Sequence, residues 1–182
     1  KTPMRPMLLV CTACCFVTAV PTRAATPPGN ATPLIKLPTV VAASVKSLGD
    51  TCREVGGTPR TGDVVKHVDL NADGKEDFVV DVGSANCDGA ASIYGDREKG
   101  VAVYVGDGMG GATEAFSDSV YGATIEGQGS AAKLWLTVSA QRCGKKPAVD
   151  FATENFCDRV LVWNAQTKQF DYAPVSTVRM LQ

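Results

Sequence analysis

Apolar residues recur at steps of four, three, four and three from Val41 through Val45, Leu48 and Cys52 to Val55, while Lys46, Asp50, Arg53 and Glu54 fall off that stripe. Such spacing puts five side chains on one face of an α-helix. Thr39 is its predicted N-cap and Gly56-Gly57 its predicted stop. After Gly57 the period changes to two. Short β-branched runs between Gly, Asn and Asp clusters predict strands at 64–70, 77–82, 101–105, 120–126, 133–140 and 158–163, with 169–173 closing a hairpin. Trp163 and Phe170 flank that last turn and are expected to pair across it. No helical pattern of useful length separates the strands, so antiparallel pairing is expected rather than a parallel βαβ sheet. The predicted class is α+β, mostly β, with an N-terminal helix packed on an antiparallel sheet.

A different pattern precedes this region. Met4-Arg5 opens a basic stretch, residues 7–20 run apolar and uncharged, and Thr22-Arg23-Ala24 offers small residues for a cut after Ala24. That is the layout of a secretory signal peptide over residues 1–24, too short for a membrane span. Lipidation at Cys14 is disfavoured, because the aliphatic residue needed three positions earlier is Cys11. Residues 25–38 carry four prolines and read as a flexible tether, leaving 39–182 as a single domain. Asn30-Ala31-Thr32 fits a glycosylation sequon that has meaning only in a eukaryotic host.

Composition changes the picture once the leader is set apart. The whole chain of 182 residues has 18 basic and 19 acidic side chains. Lys1, Arg5 and Arg23 lie in the leader, so the remainder is acidic, which excludes a charge-driven nucleic-acid binder. Four cysteines remain: Cys52, Cys87, Cys143 and Cys157. An even number in an exported chain favours two disulfides, and a single histidine gives little support to zinc. Three connectivities are open. Proximity in sequence favours Cys52–Cys87 with Cys143–Cys157.

The stretch that carries chemistry is Asp69-Leu70-Asn71-Ala72-Asp73-Gly74-Lys75-Glu76-Asp77. Side-chain oxygens stand at its positions 1, 3, 5 and 9, and glycine at position 6. Calcium takes six to eight oxygens, which a single loop supplies only by wrapping around the ion. The expected ligands are the side chains of Asp69, Asn71, Asp73 and Asp77 with the carbonyl of Lys75. Without a cation the alternative is a metal-free Asp/Asn/Gly turn, in which three carboxylates would repel one another. Position 12, where a helix–loop–helix site needs glutamate, is Val80, and strands flank the loop.

A strand–loop–strand closed by the carboxylate at position 9 resembles the FG-GAP and VCBS calcium loops of secreted proteins. The resemblance covers about twenty residues and one copy, so it implies a calcium loop rather than a propeller. From Cys52 to about Tyr104, the order Cys-x-x-x-Gly-Gly, then DLNADGKEDFVVDVG, then NCDGAAS looks like a group of small exported bacterial proteins. Some of these are thought to be periplasmic inhibitors or immunity proteins.

Other signals are weaker. Gly106-Asp107-Gly108-Met109-Gly110-Gly111 formally matches G-x-G-x-x-G, but residues 112–119 are too few for the helix of a dinucleotide fold, so a glycine-rich hairpin turn is expected. Asp107 is an additional oxygen ligand if its loop folds near Asp88. His67 and Asp69 share a strand face, yet no nucleophile accompanies them. The aromatics Trp135, Trp163, Phe170 and Tyr172 read as core. The leading expectation is an exported non-catalytic module with a structural calcium. A periplasmic inhibitor of a cell-wall hydrolase is the alternative, and a secreted hydrolase ranks third.

Overall fold

The computed structural model describes residues 36–181. The expected signal peptide, the lipidation question, the sequon and the tether up to residue 35 lie outside the described residues. Leu37 already packs beside Val41, and Pro38 is buried, so the folded body takes in two residues that composition assigned to the tether.

Helix α1 (Thr39–Glu54) forms where the periodicity places it. Its N-cap is Pro38 and no side chain caps it, which corrects the role expected of Thr39. Val41 and Cys52 are fully buried on its inner face. Val55 is 52% exposed, because the helix has ended and the chain turns away. At that end Gly56 adopts φ +80°. Its N–H donates to the Arg53 carbonyl and that of Gly57 to the Cys52 carbonyl, the paired closure that a left-handed residue makes possible.

Beyond the helix come β1 (Thr58–Arg60), β2 (Val65–Val68), β3 (Asp77–Asp81), β4 (Asn86–Asp88), β5 (Lys99–Gly106), β6 (Ala112–Val120), β7 (Gly122–Glu126), β8 (Lys133–Ser139), β9 (Phe156–Asn164), β10 (Gln169–Tyr172) and β11 (Arg179–Met180). One antiparallel sheet has the order β2-β3-β5-β6, a second β7-β8-β9-β10 with β11 also on β9, and β1 pairs with β4. The run 120–126, expected as one strand, is two. β6 ends at Val120 in the first sheet and β7 starts at Gly122 in the second, so Tyr121 is the corner where the chain changes sheets. Residues 112–119 are extended strand, and 106–111 is the hairpin turn expected of them.

The two sheets meet through one core. Val79, Val101, Val103 and Val120 of the first pack against Leu134, Leu136, Leu161 and Phe170 of the second. The opposite face of the first sheet presents Phe78, Val80 and Tyr104 to Val41 of α1. The molecule is therefore mostly β with one helix on antiparallel sheets, in three layers. Alternation along β3 produces this arrangement, since residues 78 and 80 face the helix while 79 faces the second sheet.

Two disulfides cross-link neighbouring elements. Cys52–Cys87 ties α1 to β4, with Cα atoms 5.7 Å apart, and Cys143–Cys157 ties the turn Ala140–Cys143 to β9 at 6.0 Å. That turn also carries Arg142, which donates to the Asp118 carboxylate of β6 and, at 2.7 Å, to the Tyr172 hydroxyl of β10. Tyr172 in turn donates to Asp118 at 2.8 Å. This triad joins edge strands of the two sheets. In the last hairpin Trp163 and Phe170 are register partners with ring centroids 5.0 Å apart, as their spacing predicts.

Candidate metal site and the groove beside it

The loop between β2 and β3 is built around its own acidic side chains. Asp69 accepts the Asp73 N–H at 3.2 Å through one oxygen and the Gly74 N–H at 3.0 Å through the other. The Asn71 amide oxygen accepts the same Asp73 N–H at 3.0 Å, and Asp73 accepts from Lys75 N–H at 2.9 Å. Oxygens from Asp69 and Asn71 thus share a single donor, which brings them to one spot. Ala72 at φ 60° and Gly74 at φ 79° supply the two left-handed steps that curl the chain around these groups. Lys75 extends its ammonium to 3.6 Å from Asp73.

Asp77 has a different position. It is the one buried polar or charged residue among the described residues, with 0% of its surface exposed. One oxygen accepts the N–H groups of Leu70 at 2.9 Å and Asn71 at 3.4 Å, and the other accepts the Gly106 N–H at 3.1 Å. No cationic side chain pairs with it among the described residues. Burial therefore raises its pKa above the ordinary carboxylate range, against the three backbone donors that pull it down. Gly106 is essential to this contact, since a Cβ there would collide with the Glu76 carbonyl oxygen.

The donor set is made of hard oxygens, the chemistry that calcium and magnesium select. Among the described residues no three His, Cys, Asp or Glu side chains are grouped to hold a metal by themselves. The gathered oxygens include the Asn71 amide, while Asp77 is turned beneath the loop. The five residues expected as one ligand set do not share one position: oxygens of Asp69 and Asn71 meet on the Asp73 N–H, whereas Asp77 is engaged by Leu70, Asn71 and Gly106.

The remaining candidates fall in different places. Asp107 caps its own turn, accepting from Met109 N–H at 2.6 Å and Gly111 N–H at 2.9 Å, and these donors hold its carboxyl below the ordinary range. It stands beside the Asn71–Lys75 loop. Asp88, near which it was expected, sits on β4 and is bridged to Arg60 at 2.6 Å. His67 faces Glu76, with Nδ1 3.1 Å from Oε1, and its ring meets Phe78 edge-on at 5.3 Å. The His67–Asp69 dyad weighed from sequence has Glu76 in the place of Asp69.

A groove of about 410 Å³ opens next to the loop. It is lined by Asn71, Asp73 and Lys75 of the loop, by Asp107, and by Trp163 and Lys168 of the β9–β10 hairpin. Val105 and Ala115 complete the apolar floor. Sequence reasoning read Trp163 as core. It is core on one side, packed on Phe170, and groove wall on the other. Nothing in the local pattern singled out Lys168.

The fold and the loop define a disulfide-bonded, mostly β protein with an oxygen-rich strand–loop–strand. Set beside protein-family models, curated proteins and solved structures, the chain matches none of them.

Proposed function

We propose that this is an exported, non-catalytic calcium-binding module. The loop holds one ion through Asp69, Asn71, Asp73 and Asp77 with the Lys75 carbonyl, and the ion stabilises the β2–β3 hairpin. The observation that carries this reading is Asp77, a fully buried carboxylate that receives three neutral N–H donors and, among the described residues, no cationic side chain. Isolated buried charge is costly, and a divalent cation in the adjoining loop supplies the missing positive charge. The shared donor of Asp69 and Asn71 supports the same reading, since the curled backbone already pulls ligand oxygens together. Export draws support from the two disulfides. No described helix is long and apolar enough to cross a membrane.

The test is calcium titration by calorimetry together with thermal melts in calcium and in chelator. A site binding only the native state adds about 2.7 kcal/mol at a hundredfold excess over Kd, a rise of several degrees in Tm. No binding heat and superimposable melts would sink the proposal.

A further inference from the structure

The Cys143–Cys157 disulfide closes a loop whose two ends are held and whose crown is not. On the near side the Lys145 N–H donates to the Ala140 carbonyl at 2.9 Å. On the far side the Asp150 carboxylate accepts the Thr153 N–H and hydroxyl, each at 3.0 Å, and Glu154 accepts the Ala140 N–H at 2.8 Å. Phe151 anchors the same side against Phe156, with ring centroids 5.8 Å apart and the Arg97 guanidinium 3.7 Å over its ring. Between these anchors no backbone hydrogen bond engages Lys146, Pro147, Ala148 or Val149 among the described residues. Pro147 fixes its own φ and steers Lys146 to an extended conformation, and Asp150 is extended at φ −148°, ψ 169°. The Val149 side chain stands 100% exposed.

An apolar side chain so placed gains nothing from folding. Of the nine large apolar residues exposed among the described ones, five (Val149, Phe151, Val175, Met180 and Leu181) stand in this loop or against it. Clustering of that kind marks an interaction face. An extended backbone with free hydrogen-bonding groups and one projecting side chain is the form that a peptidase cleft reads, by main-chain hydrogen bonds and a side-chain pocket.

We infer that the crown binds and blocks a serine peptidase whose specificity pocket takes a small aliphatic side chain, with Val149 as the residue that enters it. The peptidase's serine hydroxyl adds to the Val149 carbonyl, its proton passes to the Asp150 nitrogen, and the Val149–Asp150 bond breaks to leave an ester on Val149. The new Asp150 amine does not diffuse away, because its bonds to Thr153, the packing of Phe151 and the disulfide keep it beside the ester. It attacks the ester in return, the amide re-forms and the proton goes back to the serine, so the cleft stays occupied instead of turning over. The Asp69–Asp77 loop takes no part, and this inference stands apart from the calcium reading.

The probes are pancreatic elastase, chymotrypsin and trypsin, which take small aliphatic, aromatic and basic side chains, each assayed on a chromogenic peptide with the full chain as competitor. Expected is inhibition of elastase alone, with any cut confined to the Val149–Asp150 bond by mass spectrometry. Val149→Lys changes a fully exposed side chain, so its Tm should match that of the parent. It should weaken elastase inhibition about a hundredfold, the scale of a central anchor lost, and transfer inhibition to trypsin. No inhibition of elastase, rapid cleavage of the loop as an ordinary substrate, inhibition of trypsin by the parent chain, or an unaffected Val149→Lys variant overturns the inference.

Discussion

Two carboxylates, the buried Asp77 and the half-buried Asp118, answer the same problem in opposite ways. Asp118 lies where β6 meets β10, and although burial opposes its ionisation, Arg142, Tyr172 and the Ser119 N–H hold its pKa below the ordinary range. Burial, with the hydrogen bond to Asp118, pushes the Tyr172 hydroxyl far above its usual value, so it remains a donor. This charge is neutralised by side chains that the fold provides. Asp77 is more deeply buried, has only backbone donors among the described residues, and is held high by burial. The first arrangement is complete within the chain and closes a sandwich edge. The second has three backbone donors and no cationic partner among the described residues, and on the proposed reading a cation in the overlying loop would supply that charge.

The largest effect expected from breaking this contrast is that of Asp77→Ala. It leaves the Leu70, Asn71 and Gly106 N–H groups without their acceptor, the Gly106 donor buried and the other two half-buried. The cost is about 3 kcal/mol or more in urea unfolding, with calcium affinity lost in the same variant. Cys143→Ser with Cys157→Ser attacks the other carboxylate indirectly. It opens a loop with a sequence separation of 14 and frees the turn that carries Arg142. Loop entropy alone assigns it about 3 kcal/mol, and the Tyr172 environment should change in near-UV circular dichroism.

Asp118→Asn is smaller, about 1–3 kcal/mol, and its diagnostic is the sign of the pH dependence. A lowered folded pKa gives stability that is present above the unfolded carboxylate value near 4 and lost as pH falls through the folded value. Asp118→Asn should therefore flatten the acid limb of the stability curve. Asp77, raised by burial, acts in the opposite sense in chelator: its share is present below the unfolded value and lost as pH rises through the folded one. Calcium should reverse that slope. Stability–pH curves with the same acid slope for Asp118→Asn and the parent, or no calcium effect on the slope, would break the comparison.

The difference between these regions also explains what the sequence reveals. Asp69 to Asp77 are close in the chain, so spacing alone exposes a candidate loop, as it exposes α1, the Gly56 stop and the Trp163–Phe170 pair. Asp118, Arg142 and Tyr172 are separated by 24 and 30 residues and come together only after two sheets have packed. No local pattern announces them. The change of sheet at Tyr121 is hidden for a similar reason, because alternation continues through 120–126 whichever sheet receives each half. β1, β4 and β11 are two or three residues long and leave too little periodicity to detect. Thr39 shows the reverse error, a good capping residue placed one position inside the helix, where its hydroxyl has no cap to make.

The smallest expected effect is at Lys168, where a residue with a side chain takes a left-handed backbone at φ 56°. The Asn164 side chain accepts the Gln166 and Thr167 N–H groups at 3.1 and 3.3 Å, so the turn is well held before Lys168 is reached. A left-handed lysine costs about 1–2 kcal/mol, while glycine in its place loses more chain entropy on folding. Lys168→Gly should therefore raise stability by less than about 1 kcal/mol, a shift of a few degrees in Tm. The Asp69–Asp77 loop is untouched, so the calcium-induced rise in Tm should be the same in both proteins. A destabilised Lys168→Gly would mean that the lysine stem packs for the fold. A stabilised variant means that the left-handed backbone, rather than the lysine side chain, governs the energy of this turn.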